Sequence, residues 1–277
     1  MQLRFDENTQ EMLNVNVGIS QSSSVSSILF LIYTRFSLSE RMNAGERILS
    51  YVDNIDLVVS FKSVEKNCQL LQNLAEILLL EQEQNCMQFD IDKTELIHFH
   101  SKRNLDLKDE RFAVKIEDAL VQPKNLVKYL DVWLDFKLNF KAHVEKKLAS
   151  ASKMLMQIER LFNTERELIF QTIRQLYIAC ISSVADYKVP VWWNEQKHLL
   201  ERFQKLQNQA LRKILEVFKT SPVSAMKIEA FLPLSRIKFN KICKNYALRI
   251  LQMHDKHLIR LKISSGFSSY INKIELN

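Results

Sequence analysis

The chain has 277 residues, of which 47% are hydrophobic and 26% charged, a composition typical of a soluble globular protein with a buried core and one or two domains. Its net charge of +7 is uneven: residues 1–100 carry 14 acidic and 7 basic side chains, whereas residues 101–277 carry 18 acidic and 32 basic ones. The basic part favours a nucleic-acid partner, and a solvated basic surface without a partner is the alternative.

Neither a membrane anchor nor an export signal is expected. The longest apolar stretch, Val25–Tyr33, is too short to span a bilayer and contains serines. The N-terminus lacks the basic and then apolar regions of a signal peptide. The four cysteines are at least 18 residues apart, which argues against a metal knuckle and favours a reducing compartment. We expect an intracellular protein, nuclear or cytoplasmic, whose oligomeric state stays open.

The first half of the chain alternates predicted strands with predicted helices. Apolar residues at helical spacing predict a helix over 23–38, and Ser63 is the predicted N-cap of a second helix that ends near Gln84. Asp53 and Asn54 lie between two β-rich runs and predict the turn of a hairpin. The predicted strands are Leu3–Phe5, Val15–Val17, Ile48–Tyr51, Ile55–Phe61, Met87–Ile91, Glu95–His100, Phe112–Ile116 and Leu126–Leu134.

From Phe140 onward the pattern becomes helical. Pro190, Pro222 and Pro233 punctuate the apolar periodicity. The predicted helices cover residues 140–162, 165–184, 195–218, 222–230 and 235–253. The fold class is therefore α+β, with a mixed domain over 1–138, an all-helical region over 139–253 and a loose tail over 254–277.

Four segments, in this order, carry a resemblance to one protein family. VGISQSSSVSSILF (17–30) is similar to G-x-P-Q-G-S-P-x-S-P-x-L-F, and YVDN (51–54) is similar to Y-x-D-D. KTELIHF (93–99) is similar to a strand that begins K-T-E or K-T-F, and KYLDVWLD (128–135) resembles Y-L-G-V-x-L-D. Each motif is weak alone, but together they resemble the reverse transcriptases of non-LTR (LINE-type) retrotransposons.

The resemblance continues into the helical part and covers residues 1 to about 250. FQKLQNQALRKIL (203–215) and KTSP (219–222) are similar to the helical region that follows the polymerase domain in these elements. The resemblance implies a partial reverse-transcriptase palm, an antiparallel sheet backed by helices, followed by an all-helical thumb and connector. It also implies an RNA template, a DNA primer and Mg²⁺.

Site residues follow from the resemblance motif by motif. The implied catalytic residues are Asp53, which would also bind the metal, Asn54 and, more weakly, Lys93. The implied substrate-binding residues are Gln21, Ser22 and Tyr51, and Tyr129 and Trp133 are the implied nucleic-acid-binding residues of the segment that grips the primer end. Taken alone, Asp53 and Asn54 equally fit ordinary turn chemistry, since both tolerate a left-handed backbone.

The metal site is expected to be incomplete. The family uses three aspartates, one on an upstream strand and two at the hairpin tip. Only 17 residues precede Gly18, so the upstream aspartate has no counterpart in this sequence, and Asn54 replaces the second aspartate of the tip. Asp56, three residues from Asp53 along a strand, is expected to face the opposite way. Because divalent cations need several carboxylate oxygens, we expect no polymerase activity from this chain alone.

The departures from the family share a chemical pattern. The chain has three glycines, where roughly 19 would be ordinary. Serines stand at three family prolines and one family glycine, at Ser20, Ser22, Ser24 and Ser27. Asp131, Lys188 and Glu216 correspond to family glycines, and Leu234 corresponds to a family proline. All these changes are single C-to-T or G-to-A transitions except glycine to lysine, which needs two, so we hypothesise a decayed repeat copy.

Two further sets of residues have both a functional and a structural interpretation. His98 and His100 lie on one face of a predicted strand, as a metal pair would, but no third ligand is evident, so surface or core histidines are favoured. Trp133, Trp192 and Trp193 could stack on bases, yet their apolar surroundings favour a place in the core.

A third set lies on a predicted helix of the basic region. Lys205, Arg212 and Lys213 are interleaved with amides and could follow a nucleic-acid backbone, or form a solvated helix face. The sequence therefore predicts an RNA-directed DNA polymerase domain fragment that is inactive. The alternatives are a non-catalytic nucleic-acid-binding remnant that uses residues 139–253, and a pseudogene product without function.

Overall fold

The computed structural model describes residues 4–5, 8–9, 25–34, 45–52, 54–85, 89–100, 110–162, 170–257 and 259–260. The chain divides into two compact units, Met1–Asn125 and Leu126–Asn277. Helices and small antiparallel sheets occur together, which confirms the α+β class. Among the described residues, no helix has the length and apolar character needed to cross a membrane.

The described part of the first unit contains two α-helices and three antiparallel hairpins. The helices are Ser26–Thr34 (α1) and Val64–Gln84 (α2). The paired strands are Arg4–Phe5 with Asn8–Thr9 (β1, β2), Glu46–Tyr51 with Asn54–Val59 (β3, β4), and Val114–Ile116 with Ala119–Val121 (β5, β6). The described strands thus form separate two-stranded sheets rather than the single palm sheet that was expected.

Helix α2 is the centre of the first unit's core. Its Cys68, Leu74 and Leu78 are buried, and the helix packs against β4 and β5. The Ser63 hydroxyl accepts a hydrogen bond from the Lys66 amide at 3.4 Å, which confirms Ser63 as the N-cap. The predicted second helix is therefore correct at both ends.

Three predicted features of the first unit differ from the structure. Phe5 pairs with Asn8, so the first hairpin closes within the polar segment, and the predicted partner Val15–Val17 lies outside the described residues. Residues 89–90 are irregular and Ile91–Lys93 form a 3-10 turn, so the strand predicted to end at Ile91 is wrong over its described part. The strand over 95–100 is also wrong, since it is reduced to one bridge between Leu96 and Pro123.

The second unit begins with a hairpin and continues as helices. Its strands are Leu126–Tyr129 (β7) and Val132–Asp135 (β8). The helices are Lys141–Phe162 (α3), Phe170–Leu176 (α4), Ser183–Ala185 (α5), Val189–Trp192 (α6), Lys197–Ile214 (α7), Val223–Glu229 (α8) and Ser235–Leu251 (α9), and a π-helix, Tyr177–Ser182, links α4 to α5. The predicted helices therefore correspond closely to the observed ones.

An aromatic cluster lies in the core of the helical unit. The Trp192 ring stacks on Phe203 with centroids 5.3 Å apart and meets Phe239 edge-on at 5.5 Å. Trp192 is 1% exposed, so the core interpretation is confirmed for this tryptophan. Its indole N–H donates to the Tyr187 carbonyl at 2.9 Å, which satisfies the buried donor.

Left-handed backbone occurs at the three described positions where a residue with a side chain stands in place of a glycine of the resembled family. The φ angles are +64° at Asp131, +55° at Lys188 and +53° at Glu216. An L-residue with a side chain adopts this conformation at a cost of about 1 kcal/mol or more, whereas glycine adopts it freely. Leu234, where the family has proline, has φ −54°, within the proline range. The backbone thus keeps the conformations expected of the family residues.

Candidate nucleic-acid interface

The β3–β4 hairpin carries the segment that resembles the tip of a polymerase palm. Asp53, Gln21 and Ser22, which the resemblance assigns to metal or substrate binding, lie outside the described residues. Tyr51 and Asn54 face each other as the last pair of the hairpin. Asn54 is therefore the first residue of β4 rather than a turn residue, because it forms the last ladder pair with Tyr51.

Asn54 pairs with Tyr51, and Asp56 pairs with Leu49. Strand alternation therefore places these four side chains on the same face of the hairpin. Asn54, Tyr51 and Leu49 are exposed, and Asp56 is half-buried. The other face, with Ile48, is half-buried on the α2 side. The tip of the hairpin thus presents the Asn54 amide to solvent, whereas the Asp56 carboxylate is partly covered, with its Oδ2 atom buried.

These residues do not fit a two-metal site. The exposed face offers the amide of Asn54 and the carboxylate of Asp56, whereas two divalent cations need several carboxylate oxygens. Within the described ranges, no three His, Cys, Asp or Glu side chains come together as a metal-binding group. No catalytic step through Mg²⁺ is therefore derived for the described residues.

Lys93 lies in the 3-10 turn and not on a strand behind the site. Its ammonium is 2.5 Å from the Asp90 carboxylate, and its side chain is 83% exposed. The hydrogen bond between them raises the pKa of Lys93 and lowers the pKa of Asp90. The Thr94 amide bonds to the Ile91 carbonyl at 2.9 Å, so these backbone groups are used within the turn and not in a strand ladder. A catalytic role for Lys93 stays a prediction.

His98 has a structural role in the first unit. The side chain is 8% exposed, and its Nε2 donates to the carbonyl of Phe112 at 2.7 Å. The thiol of Cys68 lies 3.8 Å from the same nitrogen. These contacts confirm the core interpretation of His98 and join α2 to the turn before β5.

In the second unit, the β7–β8 hairpin carries the segment that resembles the primer grip. Tyr129 pairs with Val132, and Lys128 pairs with Trp133. The Lys146 ammonium of α3 lies 3.2 Å from the centroid of the Trp133 ring. Trp133 is half-buried rather than part of the core, and its ring carries a cation at cation–π distance.

A second aromatic ring beside this hairpin carries two more cations. The ammonium groups of Lys147 and Lys188 lie 4.0 Å and 5.7 Å from the centroid of Tyr187. Within the described part of the chain, neither these lysines nor Lys146 has a carboxylate within ion-pair distance. We name Trp133, Lys146, Lys147, Tyr187 and Lys188 the lysine–aromatic cluster.

The charges of the hairpin and of the cluster act on one another. The hydrogen bond from Lys128 is the main cause of the lowered pKa of Asp131, and the charges of Lys147 and Lys188 lower it further. Lys128 and Asp131 form an exposed ion pair at 2.7 Å. The hairpin tip and the lysine–aromatic cluster therefore share one electrostatic environment, in which basic groups outnumber acidic ones.

His143 connects the β7–β8 hairpin to the backbone at Tyr187. The Trp133 amide donates to His143 Nδ1 at 3.3 Å, and His143 Nε2 lies 3.4 Å from the Tyr187 carbonyl. The first bond needs an unprotonated Nδ1 and the second a protonated Nε2, so we assign the neutral Nε2–H tautomer. Burial is the main cause of the lowered pKa of His143, and the imidazole is 0% exposed. Both aromatic residues of the cluster are thus anchored through one side chain.

The basic residues predicted on α7 do not all present free charges. Arg212 donates to the carbonyl of Asn208 at 3.1 Å, and Lys213 lies 3.8 Å from Glu159. Lys205 is exposed and has no ion pair with any described residue. Nucleic-acid binding by these three residues, and by Tyr129 and Trp133, stays a prediction.

Two features of the sequence indicate the further residues of the lysine–aromatic cluster. Lys146 and Lys147 form a basic pair that Glu145 separates from the buried His143 and Val144, and Tyr187 and Lys188 are adjacent in sequence. Their proximity depends on packing between α3 and the segment before α6, which local periodicity does not reveal.

Among curated proteins, the chain is similar to a probable RNA-directed DNA polymerase from transposon BS of Drosophila melanogaster. The two are 22% identical over 209 residues, which cover 73% of this chain and 22% of the relative. The match supports the resemblance at the level of the family: the chain is similar to a transposon-encoded RNA-directed DNA polymerase.

The chain corresponds to a limited part of that relative, since it spans only 22% of the relative's length. No protein-family model and no solved structure matches the chain. Activity, substrates and partners therefore do not transfer from the relative as established properties.

Proposed function

We propose that the chain is a reverse-transcriptase palm and thumb remnant that binds single-stranded nucleic acid without polymerising it. Three lysines that lack ion pairs among the described residues lie over Trp133 and Tyr187, beside the hairpin that resembles the primer grip, and this observation carries the proposal. Proteins that bind single strands combine cations for the phosphates with aromatic rings for the bases.

The cluster is suited to this role because its cations are held but not neutralised. In the free protein, the Lys146 and Lys147 ammonium groups rest on aromatic faces. On binding, the flexible lysine stems let each ammonium move to a phosphate while a base stacks on the ring face that the ammonium leaves. A bound strand would then gain both charge neutralisation and stacking.

A salt titration of binding tests this function. Affinity of the full chain for a single-stranded oligonucleotide should fall with salt, and the double variant Lys146→Ala/Lys147→Ala should flatten the slope of log K against log salt by about 0.7 for each lost phosphate contact. The matched control is Lys205→Ala/Lys213→Ala on α7. A cluster variant with an unchanged slope would contradict the proposed surface, and a larger effect of the α7 variant would favour the α7 residues.

The absence of polymerase activity is part of the same proposal. Asn54 stands where the family has a second aspartate, and Asp56 is the one carboxylate that the described hairpin adds on that face. Purified full chain should therefore fail to extend a primer in the presence of magnesium, because electrostatic stabilisation of the transferring phosphoryl group is largely lost. Magnesium-dependent extension above a no-enzyme background would refute this part and leave the binding proposal standing.

We also propose that the gene is a decayed copy of an intact element. The left-handed backbone at Asp131, Lys188 and Glu216 supports this descent, because such positions favour glycine. Alignment of the gene with intact relatives should show an excess of C-to-T and G-to-A changes. An even mixture of transitions and transversions would count against the hypothesis.

A further inference from the structure

A cavity of about 200 Å³ lies within the helical unit and has no role in the proposed nucleic-acid surface. Apolar side chains, among them Phe203, Leu206 and Leu232, form part of its lining. Phe203 is 4% exposed and stacks on Trp192, so this wall is a rigid part of the core. The space is sufficient for a small molecule with one ring.

The charged groups that line this cavity are predominantly basic. Arg174 and Lys238 line it, and Asp186 is the one acidic residue among its lining residues. Lys238 bonds to the Asp186 carboxylate and to the Ser182 hydroxyl, which also donates to Asp186 at 2.9 Å. One carboxylate thus balances one of two cations, and an anionic ligand would be attracted.

Arg174 keeps donors for a ligand after its own contacts are made. Its Nε donates to the carbonyl of Ala230 at 2.8 Å, and its Nη2 donates to the carbonyl of Phe231 at 3.1 Å. These bonds fix the guanidinium at the end of α8. A guanidinium has five N–H donors in a planar fork, so donors suited to a carboxylate remain.

Tyr177 is the polar group of this cavity that the fold itself does not use. The side chain is 8% exposed and lines the cavity, and its hydroxyl makes no hydrogen bond with any described residue. Burial, together with the nearby Asp186 charge, raises the pKa of Tyr177, so the hydroxyl keeps its proton and is a hydrogen-bond donor. Because no described residue accepts a hydrogen bond from this hydroxyl, it can donate to a ligand in the cavity.

The π-helix brings these groups together. It runs from Tyr177 to Ser182, and its i→i+5 bonding places its first and last residues on one side, toward the cavity. Such wide turns often occur at functional sites, because they reorient side chains at some cost in helix stability. Here the two reoriented side chains are a free donor and a member of the Lys238 network.

We propose that this cavity binds a single-ring aromatic carboxylate. The ring lies against Phe203, Leu206 and Leu232, and the carboxylate accepts hydrogen bonds from the Tyr177 hydroxyl and the remaining N–H groups of Arg174. Lys238, already paired with Asp186, adds positive potential on the same side. The apolar wall favours an aromatic ring in the ligand, and the excess of hydrogen-bond donors favours a negatively charged group on it.

Titration of the full chain with benzoate tests this site. Ligand-observed NMR should detect binding of benzoate but not of benzylamine, which has the same ring and the opposite charge. Intermolecular NOEs should connect the benzoate ring to Leu206 and Leu232. Tyr177→Phe should weaken benzoate binding about fivefold through the lost hydrogen bond, while thermal stability stays unchanged or rises because the hydroxyl has no partner in the fold.

Two controls make the result specific. Tyr246→Phe removes a hydroxyl from a half-exposed tyrosine of α9 that does not line the cavity, and should leave benzoate affinity unchanged. Tyr177→Phe should leave oligonucleotide binding unchanged, so that the cavity and the nucleic-acid surface fail independently. No benzoate binding, equal binding of benzylamine, or equal affinity in Tyr177→Phe would each overturn the proposal.

Discussion

The Val217 amide donates to the Arg212 carbonyl at 3.2 Å, and the bond closes around Glu216 at the end of α7. This is the hydrogen bond of a Schellman motif, in which the enclosed residue is left-handed and is usually glycine. Glu216 has φ +53°, so its left-handed backbone is strained. Its side chain is exposed and contributes little packing. A helix terminus built for glycine thus holds a glutamate.

Glu216→Gly should stabilise the chain. Relief of the left-handed strain should raise the free energy of unfolding by about 1 kcal/mol, measured by urea denaturation. Glu216→Ala removes the same side chain but keeps the strain, so it should change stability by less than about 0.5 kcal/mol. Equal gains from both variants would mean that charge or side-chain loss, and not backbone conformation, is responsible.

Leu234→Pro should also be stabilising. Leu234 has φ −54°, and its N–H donates to no described residue, so proline fits without losing a hydrogen bond. The expected gain of about 0.4 to 1 kcal/mol comes from the smaller conformational freedom of the unfolded chain. The control Leu248→Pro, in the interior of α9, should cost about 3 kcal/mol or more. A loss of stability in Leu234→Pro would show that the segment before α9 needs a freer backbone.

Asp135→Ala should destabilise the junction between β8 and α3. The Asp135 carboxylate accepts from the amides of Lys137 and Asn139 at 3.1 Å and from the amide of Phe140 at 2.8 Å. Loss of these acceptors should lower the free energy of unfolding by about 2 kcal/mol. The stability of Asp135→Asn should lie between that of the unmodified chain and that of Asp135→Ala. The control Asp118→Ala, in an exposed turn, should change stability by less than about 0.5 kcal/mol. Equal effects at both positions would contradict the capping role.

Acidification should weaken the fold through His143. Its pKa is lowered in the folded chain, chiefly by burial, so as pH falls the unfolded chain binds the proton first. The neutral histidine therefore contributes stability that is present at neutral pH and is lost progressively as pH falls below about 6.5. Urea denaturation at about pH 7.5 and about pH 5.5 should show a smaller loss in His143→Gln than in the unmodified chain. An identical pH dependence of stability in the two proteins would contradict this role of His143.

Sequence periodicity was sufficient for the helices but not for the sheet. The apolar spacing and the Ser63 cap placed α2 correctly, because these signals act within one element. The strand predicted over 95–100 failed, since pairing depends on which distant segment lies beside it. Asn54 was misplaced by one position for a related reason: the register of β3 and β4, and not turn propensity alone, decides where a loop closes.

The same distinction between local sequence and tertiary packing applies to the candidate sites. The sequence by itself determined the family resemblance, the asparagine at position 54 where the resembled family has aspartate, and the residues that stand where that family has glycine, because these depend on residue identity along the chain. Only the tertiary structure showed Lys147 and Lys188 over one tyrosine and the unpartnered Tyr177 hydroxyl in a cavity. Lys147 and Tyr187 are 40 positions apart, and packing between helices, rather than local propensity, brings them together.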